Sequence, residues 1–152
     1  MLLTEFLTPA RVVVPLAAQD KAGIIAELTH HLIDHSSGAF NEVLGAVEER
    51  EAVLSTGIGF GVAIPHARSS AVRELTIVCG VSSVPVPYDS IDGEPVRLFF
   101  LIVGPEESAG QHVKVLSRIA RLVRREDLRR QLCASTSAQE FYTALADAEA
   151  RV

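Results

Sequence analysis

The chain has 152 residues, of which 48% are hydrophobic and 22% are charged, and its formal net charge is −5. This length is enough for a full hydrophobic core, so we expect residues 1–152 to form a single domain. The acidic balance and the lack of tryptophan argue against nucleic-acid binding. Neither a basic, apolar leader nor an apolar run of about 20 residues is present, which predicts a cytoplasmic protein without direct membrane insertion.

The two cysteines, Cys79 and Cys133, form no CxxC pair. Cys79 lies in an apolar run and is predicted to be buried, whereas Cys133 follows a charged helix. We expect both thiols to be reduced, as is usual in the cytoplasm. A disulfide between them is the less favoured alternative.

The N-terminal part predicts a turn, a strand and a helix. Residues 2–7 indicate a short helix or turn, and residues 11–15 indicate a strand that ends at its proline. Asp20 is a candidate cap for a helix whose apolar residues recur at helical spacing from Ile24 to Ile33.

Three histidines lie near the end of this helix: His30, His31 and His35. Cationic side chains are favourable there because a helix C-terminus carries partial negative charge. His31 and His35 could also share one face as metal ligands, but a helix end explains them more simply. Asn41 is a candidate cap for a second helix, which ends in the charged residues 48–51.

Two apolar runs predict buried strands in the middle of the chain. Residues 75–81 and 96–103 are almost continuously apolar, which is typical of strands covered on both faces. Residues 84–88 between them indicate irregular structure or an edge strand, and Asp92-Gly93 indicates a turn. Because no full crossover helix joins the two runs, we expect some antiparallel pairing.

The C-terminal third predicts three helices. The first begins at Ser108 or Gly110, the second covers residues 127–132, and Ser137 with Glu140 forms a capping box for the third. Most basic residues of the first helix lie off its apolar face and are predicted to be solvated, namely Lys114, Arg118, Arg121, Arg124 and Arg125. The alternation of strands and helices predicts an α/β fold with a single mixed β-sheet flanked by helices on both faces.

The most informative stretch is residues 57–68, GIGFGVAIPHAR. Its glycines allow tight turns and close approach of the backbone to a ligand. Residues 62–64 predict a short buried strand, and Pro65 gives His66 a stiff support at its end. Neutral imidazole is a good nucleophile near pH 7, so His66 is a candidate for chemistry. A packed histidine without a chemical role is the alternative.

His112 is the second histidine that stands out, because it lies near the start of the long helix. A helix N-terminus is electropositive and suits an anion such as a phosphoryl group. If the strands that precede His66 and His112 are parallel neighbours, the two histidines face one crevice. Otherwise His112 is an exposed helix residue.

Residues 51–67, EAVLSTGIGFGVAIPHA, closely resemble the active-site motif of the fructose/mannitol-type (type 2) enzyme IIA domains of the bacterial phosphotransferase system. The match comprises Glu51, the pair Ile58-Gly59 and the core VAIPH followed by a small residue. The resemblance continues in residues 49–57, 88–96 and 112–117 and covers nearly the whole chain. Several segments in family order are a more specific signal than a short tripeptide.

The resemblance implies a phosphocarrier, a phosphotransferase component that forms a phosphohistidine. His66 matches the histidine that accepts a phosphoryl group from an HPr-type phosphocarrier protein and passes it to a IIB component or uses it as a regulatory signal. His112 and Arg50 match further active-site residues, and Thr56 and Gly57 match the loop that lines the phosphate pocket. The resemblance implies neither a metal nor another cofactor.

The segment YDSIDGEPVRLFFLIVGPEE is more similar to the nitrogen-regulatory branch, in which partner proteins respond to the phosphorylation state. We expect no fused IIB or membrane IIC domain. One alternative is a non-catalytic interaction module on the same fold, in which His66 is never phosphorylated. Another is a metal-dependent hydrolase on His66, His112 and Asp89 or Asp92, although their spacing matches no short zinc motif.

Overall fold

The computed structural model describes residues 1–33 and 38–151. After two 3-10 turns, the first half of the described chain contains β1 (Val12–Leu16), α1 (Lys21–Leu32), α2 (Ala39–Val53), β2 (Gly57–Gly59), β3 (Val62–Ala63) and β4 (His66–Arg68). The second half contains β5 (Thr76–Val86), β6 (Val96–Gly104), a 3-10 turn (Glu106–Ser108), α3 (Ala109–Leu122), α4 (Glu126–Cys133) and α5 (Ala138–Ala150).

The strands form one mixed sheet in the order β1-β5-β6-β3-β2, and β4 also pairs with β6. β5 and β6 are antiparallel, as expected from their short connection. β1 is parallel to β5, and both β3 and β4 are parallel to β6. The predicted α/β class with a mixed sheet is confirmed.

Helices cover both faces of the sheet. Successive residues of the two long strands point to opposite sides, so each face presents apolar side chains that the helices bury. Leu98, Phe100 and Ile102 of β6 pack in one core with residues of α3, α4 and α5. Phe99 and Leu101 of the same strand pack in a second core with residues of α1 and α2. The continuous apolar character of β6 therefore reflects burial on both faces, as predicted.

The helix starts show which capping predictions hold. The Asp20 carboxylate accepts a hydrogen bond from the Gly23 N–H at 2.7 Å, which confirms the cap of α1. The Ser137 hydroxyl caps α5 by accepting from the Glu140 N–H at 3.1 Å, but the Glu140 carboxylate accepts from Thr136 instead of completing the box. Asn41 was predicted as a cap and lies inside α2, which begins at Ala39.

Two strands are longer than the sequence predicts. β1 continues through its proline to Leu16, which is possible because β1 is an edge strand with one unpaired side. β5 continues to Val86, which pairs with Val96 at the start of β6 after an irregularity in register. Cys79 is buried in β5, as predicted, and both cysteines are free. His35 of the predicted helix end lies outside the described residues.

The pairing of β4 with β6 determines the position of His66. Its Cα is opposite Ile102, close to the end of β6 at Gly104, and α3 begins shortly after that end. Because β4 and β6 are parallel, their C-terminal ends lie side by side, and the chain leaves both strands at the same end of the sheet. The condition under which His66 and His112 would face one crevice is thus met.

A close approach at Gly57 links β2 to the loop after β5. A Cβ atom at Gly57 would lie 2.9 Å from the Cα of Ser90, and Ile91 donates its N–H to the Gly57 carbonyl at 3.0 Å. A backbone atom cannot move aside as a flexible side chain can. Gly57 therefore serves close packing of two backbone segments.

We expect Gly57→Ala to lower the free energy of unfolding by about 1–3 kcal/mol, because the added methyl group forces these segments apart. Gly45→Ala is the matched control, since a Cβ at this position in α2 meets no atom within 4 Å. It should be neutral or stabilising by up to about 1 kcal/mol. Urea denaturation of both variants measures the difference, and equal stabilities would contradict the close-approach explanation.

Candidate active site

A cavity of about 490 Å³ lies where the C-terminal half of α2, strand β4 and the first half of α3 meet. The predicted site residues His66, His112 and Arg50 all line it. The full lining consists of Ala46, Glu49, Arg50, Val53, His66, Ala67, Arg68, His112, Val113 and Leu116. Three elements that are distant in sequence thus contribute side chains to one space.

The imidazole of His66 is held in one orientation by the backbone. Its Nδ1 lies 2.8 Å from the carbonyl oxygen of Ile64. A carbonyl oxygen can only accept, so Nδ1 carries the proton and Nε2 of the neutral ring has the free lone pair. The Pro65 between the two residues restricts the backbone that makes this contact.

Burial lowers the pKa of His66 below its ordinary value, and the nearby positive charges of Arg50 and Arg68 act in the same direction. The hydrogen bond to Ile64 and the charge of Glu51 oppose this shift without reversing it. His66 is therefore neutral at pH 7. Neutrality and the fixed tautomer together leave a nucleophilic nitrogen.

His112 faces His66 from the first turn of α3. The two ring centroids are 5.4 Å apart with an interplanar angle of 63°. His112 is 3% exposed, and its Nδ1 has no hydrogen-bond partner in the described structure. Burial, followed by the nearby His66 and the charge of Arg68, lowers its pKa to about 4. An uncharged, incompletely bonded ring at a helix N-terminus is suited to receive an anion.

Two arginines give the cavity positive charge. Arg50 donates from Nη1 to the Leu54 carbonyl at 2.8 Å, which holds its side chain at the end of α2. Arg68 lies 3.6 Å from the exposed carboxylate of Glu106. Sequence reasoning gave Arg68 no role. The signal was its position two residues after His66, because alternate residues of a strand lie on the same face.

Thr56 and Gly57, which were predicted to line the phosphate pocket, do not line this cavity. The carbonyl of Thr56 accepts a hydrogen bond from the Ile64 N–H at 3.0 Å. Ile64 in turn holds His66 through its own carbonyl. The contribution of Thr56 to the geometry of His66 is therefore indirect and passes through the backbone.

The carboxylate of Glu51 holds Thr56, and through it the backbone that positions His66. It is buried and accepts from the Thr56 N–H at 2.7 Å, the Thr56 hydroxyl at 2.5 Å and the Tyr88 hydroxyl at 3.1 Å. Lys21 lies 3.1 Å away as its counter-ion. Burial alone raises the pKa of Glu51, but the hydrogen bonds from Thr56 and the charge of Lys21 outweigh it and lower the pKa.

The residues of the alternative metal-dependent hydrolase are not brought together. Asp89 lines a separate cavity, and Asp92 accepts from the backbone N–H groups of Phe60 and Glu94. Within residues 1–33 and 38–151, no group of three or more His, Cys, Asp and Glu side chains could hold a metal ion. The geometry gives that alternative no ligand set.

Exposed apolar side chains lie at the rim of the cavity. Val53 is 82% exposed and Val113 61%, and both line the cavity from opposite helices. Leu54, directly after α2, is 69% exposed. Adjacent exposed apolar residues at a polar cavity are typical of a protein-docking surface.

A sequence profile described as "Phosphoenolpyruvate-dependent sugar phosphotransferase system, EIIA 2" matches residues 5–148. The chain belongs to this family. A nitrogen regulatory protein of Bradyrhizobium diazoefficiens is 32% identical to it over 146 residues, covering 96% of this chain and 95% of that protein. The crystal structure of the nitrogen regulatory protein IIA-Ntr from Neisseria meningitidis matches with a TM-score of 0.86 and 33% identity, covering 93% of this chain and 97% of that chain.

The sugar branch of the family is also represented among the relatives. The fructose-specific EIIABC component of Bacillus subtilis is 36% identical to this enzyme IIA over 140 residues. The match covers 90% of this chain but only 22% of that larger protein. The family resemblance drawn from the motifs is confirmed. Among the described residues, no helix is both long and apolar enough to cross a membrane.

We expect Glu51→Gln to destabilise this enzyme IIA by about 2–3 kcal/mol, because a neutral amide leaves Lys21 without its counter-ion and weakens the hydrogen bonds from Thr56. Glu48→Gln, an exposed neighbour on α2, is the control and should change stability by less than about 0.5 kcal/mol. Urea denaturation at pH 7 measures both. A loss no larger than that of the control would contradict the anchoring role of Glu51.

Acid should destabilise the fold partly through His112. Its pKa is about 4 in the folded state against 6.5 for the free side chain. Between these values the unfolded chain binds a proton that the folded chain does not, so stability is complete above pH 6.5 and falls as the pH drops towards 4.

The unfolding free energy at pH 7.5 and pH 5.0 tests this, with His112→Gln as the comparison. The wild type should lose roughly 1–2 kcal/mol more than the variant over this interval. Equal losses would show that His112 titrates normally in the folded protein.

Proposed function

We propose that this chain is a phosphocarrier that accepts a phosphoryl group on Nε2 of His66 from the phosphohistidine of an HPr-type carrier. The observation that carries the proposal is the contact between Nδ1 of His66 and the Ile64 carbonyl. It leaves the nucleophilic nitrogen free in a cavity that His112, Arg50 and Arg68 also line. The apolar rim of that cavity supplies a surface on which a donor protein can dock.

The transfer is a displacement at phosphorus. The lone pair on Nε2 of His66 forms the new nitrogen–phosphorus bond while the donor's nitrogen–phosphorus bond breaks and returns its electron pair to the donor imidazole. The donor ring carries a proton on its other nitrogen and therefore leaves as a neutral imidazole, whereas the phosphorylated ring of His66 takes over the positive charge. The Nδ1 proton stays on His66, held by the Ile64 carbonyl. Phosphoryl transfer depends mainly on positioning and charge stabilisation, and the proposed groups supply both.

Arg50, Arg68 and His112 are the proposed stabilising groups for the phosphoryl oxygens. The two guanidinium groups are permanent donors with positive charge. His112 is kept neutral by burial, and a phosphoryl dianion beside it favours its protonation. In the proposed complex, His112 therefore becomes positively charged when the negatively charged phosphoryl group binds.

We infer that the onward step is a regulatory signal or transfer to a IIB component. The regulatory use is supported by the nitrogen regulatory relatives, with which this chain shares nearly their whole length. Transfer to a IIB component is supported by the fructose-specific EIIABC relative. Both uses require the same phosphohistidine and a cytoplasmic location.

Phosphoenolpyruvate, enzyme I and an HPr-type carrier should add one phosphoryl group to the wild type and none to His66→Ala, as read by intact mass. The matched control is His31→Ala, which removes an exposed histidine at the end of α1 and should leave the yield unchanged. Unchanged thermal melting of His66→Ala excludes simple unfolding. A phosphorylated His66→Ala protein would refute the assignment, and phospho-HPr without transfer to the wild type would favour the non-catalytic interaction module.

The same reaction tests whether His112 assists the transfer without being the acceptor. His112→Ala should still accept phosphate, but more slowly, and onward transfer should fall by about 10²-fold, the usual cost of losing one transition-state donor. If His112→Ala accepted and passed on the phosphoryl group at wild-type rates, His112 would have no role in the transfer.

A further inference from the structure

A second cavity lies away from the histidines, between the C-terminal half of α3 and the end of α5. Its volume is about 330 Å³, and four of its five lining residues are arginines. The lining consists of Arg118, Arg121, Leu122, Arg125 and Arg151. We call it the arginine cavity. It shares no lining residue with the cavity of His66.

This concentration of positive charge is unusual for the chain. The formal net charge is −5, and the whole sequence has 14 lysines and arginines. Glu149 contacts Nε of Arg118 at 2.6 Å, and Asp127 lies 3.8 Å from Arg125. Among the described residues, no carboxylate forms an ion pair with Arg121 or Arg151. The cavity therefore keeps positive charge that the protein itself does not neutralise.

Capping of α3 does not account for the free arginines. The carbonyl groups directly after that helix receive their side-chain hydrogen bonds from Arg129, whose Nη1 donates to Val123 at 2.7 Å and to Arg124 at 3.0 Å. Within the helix, the Ile119 and Leu122 carbonyls accept from the backbone N–H groups of Val123 and Arg125. Arg129 does not line the arginine cavity. Arg121 and Arg151 are exposed and form no ion pair within the described part of the chain, so their guanidinium groups can bind a ligand.

The shape of the cavity favours a small molecule over a protein segment. Its volume is at the lower end of the range of about 300–1,000 Å³ that is usual for small-molecule sites. The buried side chain of Leu122 and the aliphatic stems of the arginines supply an apolar floor. Guanidinium groups bind phosphate oxygens in a bidentate geometry.

We propose that the arginine cavity binds a small organic molecule that carries two or more phosphate charges. Arg121 and Arg151 bind the phosphate oxygens, Arg118 is held in place by Glu149 and offers the guanidinium N–H groups that Glu149 leaves free, and Leu122 contacts the apolar part. Binding there is independent of the phosphorylation of His66. Arg118 lies on α3, about 9 Å along the helix from His112, and the two cavities share no lining residue.

Calorimetry with ADP and with inorganic pyrophosphate, at about 0.15 M salt, tests the proposal on the full chain. The wild type should bind both probes saturably, and ADP more tightly because it also contacts the apolar floor. The double variant Arg121→Gln/Arg151→Gln should weaken binding by at least about ten-fold. Both side chains are exposed, so its melting temperature should be unchanged, and Arg151→Gln alone serves if the double variant does not fold.

The matched control is Arg73→Gln/Arg124→Gln, which removes two exposed arginines that do not line the cavity. It should weaken binding by less than about two-fold. Equal losses in the two double variants would mean non-specific attraction and would overturn the proposal. Loss of binding in Arg50→Gln would assign the probes to the His66 cavity, with the same consequence, as would the absence of saturable binding to the wild type.

Discussion

The buried carboxylate of Glu51 is the interaction on which the candidate site depends. It connects Lys21 at the start of α1, the Tyr88 hydroxyl after β5 and both donors of Thr56 before β2. Thr56 then binds the N–H of Ile64, whose carbonyl holds the imidazole of His66. A buried charge without these partners would be very costly, so the same residues that stabilise the fold also orient the imidazole of His66.

The site combines two uncharged histidines with two permanently charged arginines. Burial keeps His66 and His112 uncharged, which preserves a nucleophilic nitrogen. Arg50 and Arg68 supply permanent positive charge at the same cavity, and they further disfavour protonation of His66. The lining of the cavity contains two arginines and one carboxylate, Glu49, so its balance of charge is positive and favours an anion. The proposed phosphoryl group is an anion that Arg50, Arg68 and the unpartnered Nδ1 of His112 are suited to bind.

Helix α3 contributes to two anion-attracting regions that differ in construction. Its first turn presents His112 beside a strand end, where helix dipole and buried ring act together. Its C-terminal half presents arginines around Leu122, where charge and shape act without titratable chemistry. A third cavity shares the lining residue Val113 with the cavity of His66 and the lining residues Arg118 and Arg121 with the arginine cavity. Both proposed sites thus include residues of one helix, although their cavities share no lining residue.

The sequence by itself determined the α/β class, the buried character of β6, the caps Asp20 and Ser137, and the family, because apolar periodicity, capping chemistry and the VAIPH motif are local properties. Only the tertiary structure decided that Arg68 lines the cavity, that Thr56 and Gly57 do not, and that four arginines share another cavity. Side chains from separate elements meet according to strand order and direction. Strand order and direction depend on the simultaneous burial of both faces of the sheet, and no local sequence pattern predicts that arrangement.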